Sequence, residues 1–406
     1  MAVARRRCFL SFPSELWTEI LLRLPIRVLL RLRSTCTHFR NLIDSDSFGF
    51  LHFSRGMRSP ESSKLIVVRR NNNMVIGNQY VKNAANDFLM SKEFIFPINL
   101  EQNFKCEAVG HVNGLILLHK YVCRAKNWNS ASQLMVWNPF THKSFTIPKS
   151  PLCSSGMMHN QPASIAFGYN GKDYKIVVLV VDCVSDETPE YRVRAEIFNL
   201  NTKCWSSGSF SCGTSCLILG PKVTCGNSIL WLAGLPPDRM GRDNYDVEGE
   251  FVDDDNLEED ISFSCLFSVD LQNGYINTQD LPHPLYDPNE EPEIVRIPLI
   301  YNGYLSILMN GCQDALIFQF NGELWHELSD YEVDEELNDS LVYRRVTNAV
   351  LMDTNLGTFL LVSIHGGGMV SCQLEAGTTK RLIAGSDFVD LYVESLLSPS
   401  NPSGLT

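Results

Sequence analysis

From Lys64 to near the C-terminus, short apolar runs recur every 10 to 15 residues: KLIVV, NMVIG, GLILLH, LMVW, YKIVVLVV, AEIFNL, SILWLA, CLFSVDL, YLSILM, ALIFQF, AVLM and FLLVSI. Gly, Asn, Asp, Pro and Ser separate them. Runs this short, rich in β-branched and aromatic residues and bounded by turn formers, read as strands, and helical windows are almost absent. A longer repeat is laid over the strands. An apolar strand, a short polar turn and an aromatic or apolar strand follow one another in LMVWNPFTHKSFTIP, AEIFNLNTKCWSS, CLFSVDLQNGYINTQDLP and ALIFQFNGELWHEL. Their anchors Trp137, Phe198, Phe267 and Phe318 lie roughly 50 to 70 residues apart, a period that points to propeller blades of about four strands each. A region of about 335 residues then holds six or seven blades; two stacked β-sandwiches are the alternative.

The first 55 residues follow a different period. Leu16, Ile20 and Leu24 fall at i, i+4 and i+8, and Trp17 and Leu21 widen that face. Pro13 stands where a first-turn proline is tolerated, and Pro25 ends this helix and opens the next. Leu29, Leu32, Cys36, Phe39 and Ile43 recur at spacings of 3, 4, 3 and 4, which reads as one continuous apolar stripe. Asp44 to Ser47 is a turn and cap cluster before a last short helix, Phe48 to Phe53. A module of about 40 residues is marginal for a core of its own, and this one carries more large apolar residues than it can hide. Each costs about 1.5–3 kcal/mol if left in water, so the surplus must face either a partner or the rest of the chain.

Several classes of function are excluded by composition. The net charge of -12 gives no attraction to a nucleic-acid backbone and leaves a basic protein partner as an option. The 13 cysteines are odd in number and scattered singly, without a CxxC pair or a disulfide framework, so reduced thiols in the cytoplasm or nucleus are expected. After the basic run Arg5–Arg7, the apolar stretch Cys8 to Phe12 is too short for a secretory core, and no run approaches the length of a membrane span. No nucleic-acid or membrane partner, metal or cofactor is therefore expected. The boundaries read as a flexible N-terminus at 1–10, a helical domain at 11–54, a linker at 55–63, the β domain at 64–398 and a flexible tail at 399–406. Within the β domain, about 236–260 is expected to be a mobile insertion, since Tyr245 to Asp260 carries nine acidic residues and no Lys or Arg. A second acidic run lies at Glu332 to Asp339.

The segment FPSELWTEILLRLPIRVLLRLRSTCTHFRNLIDSDSFGFLHFSR resembles the F-box motif. The likeness rests on Phe12-Pro13, Glu15, Leu16, Ile20-Leu21, Leu24-Pro25, Leu29, Arg31–Arg33, Cys36 and Leu42-Ile43. It departs at Phe39, where the family usually has Trp, and at Thr37-His38. Phe39 is expected to fill the same apolar slot with a smaller ring. The β region is similar to the F-box-associated, kelch-like domain of plant F-box proteins, through HVNGLILLH, VWNPFTHKSFTIP, FGYNGKDYKIVVL, EIFNLNTKCW and YVESLL in that order. The implied architecture is a small all-α F-box module followed by an all-β domain, a six- or seven-bladed kelch-like β-propeller.

The resemblance also implies a role. The helices would dock on a SKP-type adaptor, the adaptor would bring a cullin, a RING subunit and ubiquitin, and the β domain would receive an unknown protein target. Phe12, Pro13, Leu16, Ile20, Leu21, Leu24, Pro25, Leu29, Leu32, Cys36, Phe39 and Ile43 are the candidates for adaptor binding or for the small core beneath it. A substrate adaptor needs no nucleophile and no cofactor, so no catalytic residue is assigned. Target-binding residues do not carry over from the family; Trp231, Tyr301, Trp325, His326 and the acidic loops are candidates, with packing between blades the plainer reading of Trp231 and Trp325. His365-Gly366-Gly367-Gly368 imitates a lipase oxyanion loop, but no GxSxG elbow accompanies it and a hairpin turn is the better reading. A propeller enzyme such as a glycosidase, and an F-box protein acting with the adaptor outside a ligase, are the other readings.

Overall fold

The computed structural model describes residues 12–56, 64–71, 74–82, 88–95, 104–122, 132–150, 162–183, 191–212, 218–235, 262–281, 295–302, 304–310, 314–321, 324–332, 346–354, 357–364, 368–376, 378–383, 388–392 and 394–400. Four helices come first: α1 (Ser14–Leu21), α2 (Ile26–Leu32), α3 (Thr37–Ile43) and α4 (Asp46–Gly56). Pro13 and Pro25 stand as the residues immediately before α1 and α2, with extended ψ of 147° and 148°. The stripe from Leu29 to Ile43 is broken into two helices. Ser34 and Thr35 turn their hydroxyls back onto the carbonyls of Arg31 and Leu32, both at 2.7 Å, and so compete with a continued helix. The amide of Phe39 then finds the Cys36 sulfur at 3.5 Å as the start of α3. The spacing survives the break because Leu29, Phe39 and Ile43 share one buried cluster. The last helix is longer than the expected Phe48 to Phe53.

The rest is six four-stranded antiparallel sheets. Blade 2 runs Phe104–Val112, Leu115–Val122, Gln133–Trp137, Ser144–Thr146; blade 3 runs Pro162–Tyr169, Tyr174–Cys183, Tyr191–Asn199, Cys204–Cys212. Blade 4 runs Ile218–Cys225, Ser228–Leu235, Ser262–Asp270, Ile276–Asp280; blade 5 runs Val295–Tyr301, Tyr304–Asn310, Asp314–Phe320, Trp325–Glu332. Blade 6 runs Val346–Thr354, Gly357–Ile364, Gly368–Gln373, Thr378–Ile383. Blade 1 is built from both ends of the domain. Phe388–Tyr392 is its first strand and pairs with Lys64–Asn71, Lys64 opposite Tyr392 and Val68 opposite Phe388; Met74–Lys82 and Phe88–Ile95 complete it. The first strands of successive blades adjoin one another around the ring. The count is thus six blades, and the stacked-sandwich alternative is set aside.

The repeat anchors explain why this chain makes blades. Trp137, Phe198, Phe267 and Phe318 all lie on the third strand of their blades and are at most 3% exposed. Each fills the gap to a neighbouring blade or module. Trp231, on the second strand of blade 4, is fully buried in one cluster with Ala166 and Val177 of blade 3 and with Phe267, and its Nε1 donates to Ser164 Oγ at 2.9 Å. It is therefore a packing residue and offers nothing to a target. The tight turn between the first two strands of blade 2 is Asn113-Gly114, both at positive φ (52° and 78°), the backbone that a two-residue hairpin of matching twist requires.

Residues 1–11, most of the linker at 57–63, the acidic insertion, residues 333–339 of the second acidic run, His365–Gly367 and the end of the tail at 401–406 lie outside the described residues. The insertion's flanks do not: Leu235 pairs with Ser262, so the insertion joins the second and third strands of blade 4. Replacing Trp231 by Ala should destabilise the domain by about 3–5 kcal/mol, since it opens a large cavity between blades and orphans the Ser164 hydroxyl. A urea titration followed by far-ultraviolet circular dichroism reads this as a lower midpoint with an unchanged slope.

Candidate functional site

The structure divides the twelve F-box candidates between core and surface. Leu21 (1% exposed), Leu29 (0%), Phe39 (8%) and Ile43 (2%) are core. Leu24 and Leu32 are half-buried against that core. Phe12 (56%), Leu16 (48%), Ile20 (49%), Pro13, Pro25 and Cys36 are exposed. Leu16 and Ile20 are one turn apart on α1 and so share a face, Phe12 lies just before that helix, and Val28 on α2 and Leu51 on α4 add exposed apolar surface that the sequence pattern did not single out. Exposed apolar side chains gathered on a small helical module make it a candidate protein-binding surface.

This surface is backed by a rigid base. Phe12 meets Trp17 edge-on at 5.9 Å, and Trp17 meets Phe39 edge-on at 5.0 Å, within the range where such ring pairs attract. Phe39 therefore supports the surface from beneath, through Trp17. The corner at Leu24-Pro25 is held by His52 of α4, whose ring Nε2 lies 2.9 Å from the Leu24 carbonyl oxygen and must carry the proton to donate to it. Arg55 Nη1 donates to Glu19 Oε2 at 3.2 Å and ties the end of α4 to α1.

Helix α4 also joins the helices to the propeller. Phe48 (1%) belongs to the cluster that holds Leu21, Leu29 and Phe39 together with Ile66, Phe94, Trp137 and Phe140 of blades 1 and 2. Phe53 (5%) belongs to the cluster between blades 2 and 3. The apolar surplus of the module is thus met in both ways: Phe48 and Phe53 of α4 are buried by the rest of the chain, and Leu16 and Ile20 of α1 are left open.

The propeller has two unlike faces. First and third strands run toward the helices, because both the chain after Tyr392 and the turn after Trp137 lie against α4. On that face the turns are short, none exceeding the six residues 138–143. The connections 96–103, 123–132, 147–161, 236–261, 282–294 and 333–345 all leave from strand ends on the opposite face. The last three carry 11, 4 and 4 Asp or Glu, 19 of the chain's 46, against 4 of its 34 Lys or Arg. Tyr301, Trp325 and His326 lie at strand ends of blade 5 on the helical face, where Trp325 packs on Phe320 at 5.2 Å and Asn321 Nδ2 approaches His326 Nε2 to 2.6 Å. They are away from the long connections.

Blade 2 also carries a cluster of titratable groups. Glu107 on the first strand of blade 2 contacts His119 Nδ1 at 3.3 Å and accepts from the Tyr121 hydroxyl at 3.4 Å, and His119 Nε2 reaches Ser132 Oγ at 2.8 Å. Burial pushes the Glu107 carboxyl up, but His119, Lys222 and Tyr121 outweigh it and hold the group below its usual value. Burial pushes Lys222, on the first strand of blade 4, down to about 8 against the pull of Glu107. The two influence each other through their charges, from the first strands of blades 2 and 4.

Three comparisons place these features among known proteins. The family model for the F-box domain matches residues 9–51, and that for the F-box-associated β-propeller domain matches residues 63–232. An F-box protein of Arabidopsis thaliana is 28% identical over 50% of this chain and 49% of its own length. An F-box/kelch-repeat protein of the same plant is 25% identical over 48% of both chains. The chain thus spans about half the length of the curated relatives it matches. Among solved structures, the major allergen Mala s 1 of Malassezia sympodialis aligns with 81% of this chain and 91% of its own at 9% identity and a TM-score of 0.38, a loose likeness of shape that informs no function.

The His52 tie makes the helical module sensitive to acid. Burial lowers the pKa of His52, opposed by the Leu24 carbonyl and by Glu394. A folded pKa below the unfolded value of about 6.5 means that the folded state resists the proton, so stability is complete above that pH and is lost as pH falls below it. The protection factors of amides in α1 and α4, that is, exchange rates divided by the intrinsic rate at each pH, should be steady above about pH 7 and fall below about pH 6.5. His52→Gln, which keeps a donor but does not titrate, should flatten that dependence.

Proposed function

We propose that this chain, in which an F-box domain precedes an F-box-associated β-propeller domain, is the substrate-recognition subunit of a ubiquitin ligase of the SKP adaptor–cullin–F-box type. The observation that carries the reading is the exposed apolar surface of the helical module, Leu16 and Ile20 on α1 with Phe12 just before it, standing over side chains that are already buried. This surface docks on a SKP-type adaptor, which reaches a cullin and a RING subunit indirectly. The propeller receives a protein target and presents its lysines. Its contribution to rate is placement: it turns an encounter between target and charged ubiquitin into a near-intramolecular step, and the chain itself supplies no nucleophile.

The target face in this reading is the one from which the long connections leave. It points away from the helices and so leaves the adaptor side clear. The acidic composition of the connections that leave blades 4 and 5 favours a basic target segment, by charge complementarity that speeds encounter and sets register. The scattered single cysteines suit a reducing compartment, the cytoplasm or nucleus.

Leu16→Asp with Ile20→Asp tests the docking surface. Both side chains are exposed, so the fold should persist, whereas deleting the helices outright would uncover the propeller surface beneath Phe48 and Phe53. Two central apolar anchors of about 2 kcal/mol each predict a loss of adaptor affinity of at least about 100-fold. Calorimetric titration with a purified SKP-type adaptor measures it, and adaptor affinity unchanged in the folded double variant would refute the reading. Leu24→Ala with Pro25→Ala should weaken binding as well, by loosening the corner beneath the surface. Cullin that co-purifies with the adaptor supports the ligase role; adaptor captured without cullin supports an F-box protein working outside a ligase.

A further inference from the structure

The third strands of four blades end on the same device. Asn138, Asn199, Asp270 and Asn321 each turn Oδ1 onto backbone amides two or three residues ahead: Phe140 and Thr141 at 2.8 and 3.2 Å, Asn201 and Thr202 at 2.9 and 3.2 Å, Gln272 and Asn273 at 2.6 and 3.1 Å, and Leu324 at 2.9 Å. This local bond is what makes Asn and Asp turn formers. Oδ1 alone meets the need, since Asp270 has no amide nitrogen to offer. The Nδ2 of Asn138 is therefore available for something else. It donates to the Ser395 carbonyl at 3.0 Å and the Leu397 carbonyl at 2.9 Å, with Ser395 Oγ at 3.3 Å, and the whole side chain is sealed from solvent.

The segment it grips, Glu394–Leu397, follows the closing strand and has no regular secondary structure. Ser395, Leu396 and Leu397 are buried. Its start is tied to blade 1, where Gln79 Nε2 donates to Glu394 Oε1 at 3.0 Å. Helix α4 lies on its other side. A Cβ added to Gly49 would stand 3.3 Å from the Leu396 oxygen and 3.4 Å from its carbonyl carbon. A glycine inside a helix costs about 0.5–1 kcal/mol relative to Ala, and the close approach is what it permits here. The segment is thus clasped between the propeller and the helix that carries the adaptor-docking module.

We propose that Asn138 and segment 394–397 form the joint that fixes the angle between the helical module and the propeller, so that Asn138 is a positioning residue for ubiquitin transfer. It touches neither adaptor nor target. Transfer depends on holding an acceptor lysine near the charged enzyme, and a hinge at α4 would spread that distance over many values. The inference rests on the adaptor reading above.

Asn138→Asp is the discriminating variant. It keeps the turn acceptor, as Asp270 does, but sets a carboxylate against two carbonyl oxygens and loses the joint. Gly49→Val pushes on the same segment from the helix side. The full chain is reconstituted with a SKP-type adaptor, a cullin, a RING subunit and a charged conjugating enzyme, with the propeller's own lysines as acceptors. Both variants should bind the adaptor like the unaltered chain and keep a cooperative melting transition. They should lose about 10-fold or more in the limiting rate of lysine modification, with the conjugating-enzyme concentration at half-maximal rate unchanged, and spread the modification over more lysines. X-ray scattering of the free chain should show a broader distribution of interatomic distances in both. Folded variants with unaltered scattering and an unaltered lysine pattern overturn the joint. An unaltered chain that modifies no lysine overturns the adaptor reading and the transfer half of this proposal, while scattering still judges the joint by itself.

Discussion

Everything in the propeller depends on one pairing, that of Phe388–Tyr392 with Lys64–Asn71. A ring of sheets with a missing first strand would leave one blade edge unpaired and the ring free to open, and an open edge is a template for aggregation. The pairing also decides where the chain goes next. Because the closing strand runs toward the helical face, the residues after Tyr392 emerge beneath α4, and there Asn138 meets them. Closure of the ring and seating of the helical module are thus consecutive parts of one stretch of chain, Phe388 to Leu397.

Much of this was legible in the residues. The anchors Trp137, Phe198, Phe267 and Phe318 recur because each blade must fill the same gap, and a repeated gap leaves a repeated large residue. The number of blades was open between six and seven because the first blade borrows a strand from the far end, which a count of consecutive runs cannot assign. The helical stripe from Leu29 to Ile43 was right about which residues meet and wrong about continuity. Side-chain spacing reports a shared face, whereas the break is made by the hydroxyls of Ser34 and Thr35.

The division of the F-box residues was less legible. Leu16 and Leu21 are the same residue type five positions apart, on different sides of α1, and one is 48% exposed and the other 1%. The sequence shows apolar residues on both sides and does not show which side the rest of the chain covers. The role of Asn138 was hidden for another reason. The fragment WNPFT shows an Asn that a turn would explain in full, and the donors left over after the turn is made can be assigned only when residues more than 250 positions away are in place. The same holds for Gly49, whose absent side chain makes sense only beside Leu396.

The closing strand orders events in time as well as in space. Helices α1 to α3 draw most of their contacts from neighbours in the chain, and local contacts form fast. Strand Lys64–Asn71 can pair at once with Met74–Lys82, but its other edge must wait for a partner more than 300 residues downstream. During synthesis the helices leave the ribosome before the blades and the closing strand leaves after them, so a chain that stops short of Leu397 lacks both the strand that closes the ring and the segment that seats α4. Only a chain read through to Leu397 can hold its helices at a set angle to its blades. Synthesis of every blade is in this way written into the geometry of the helices, without a separate element to sense it.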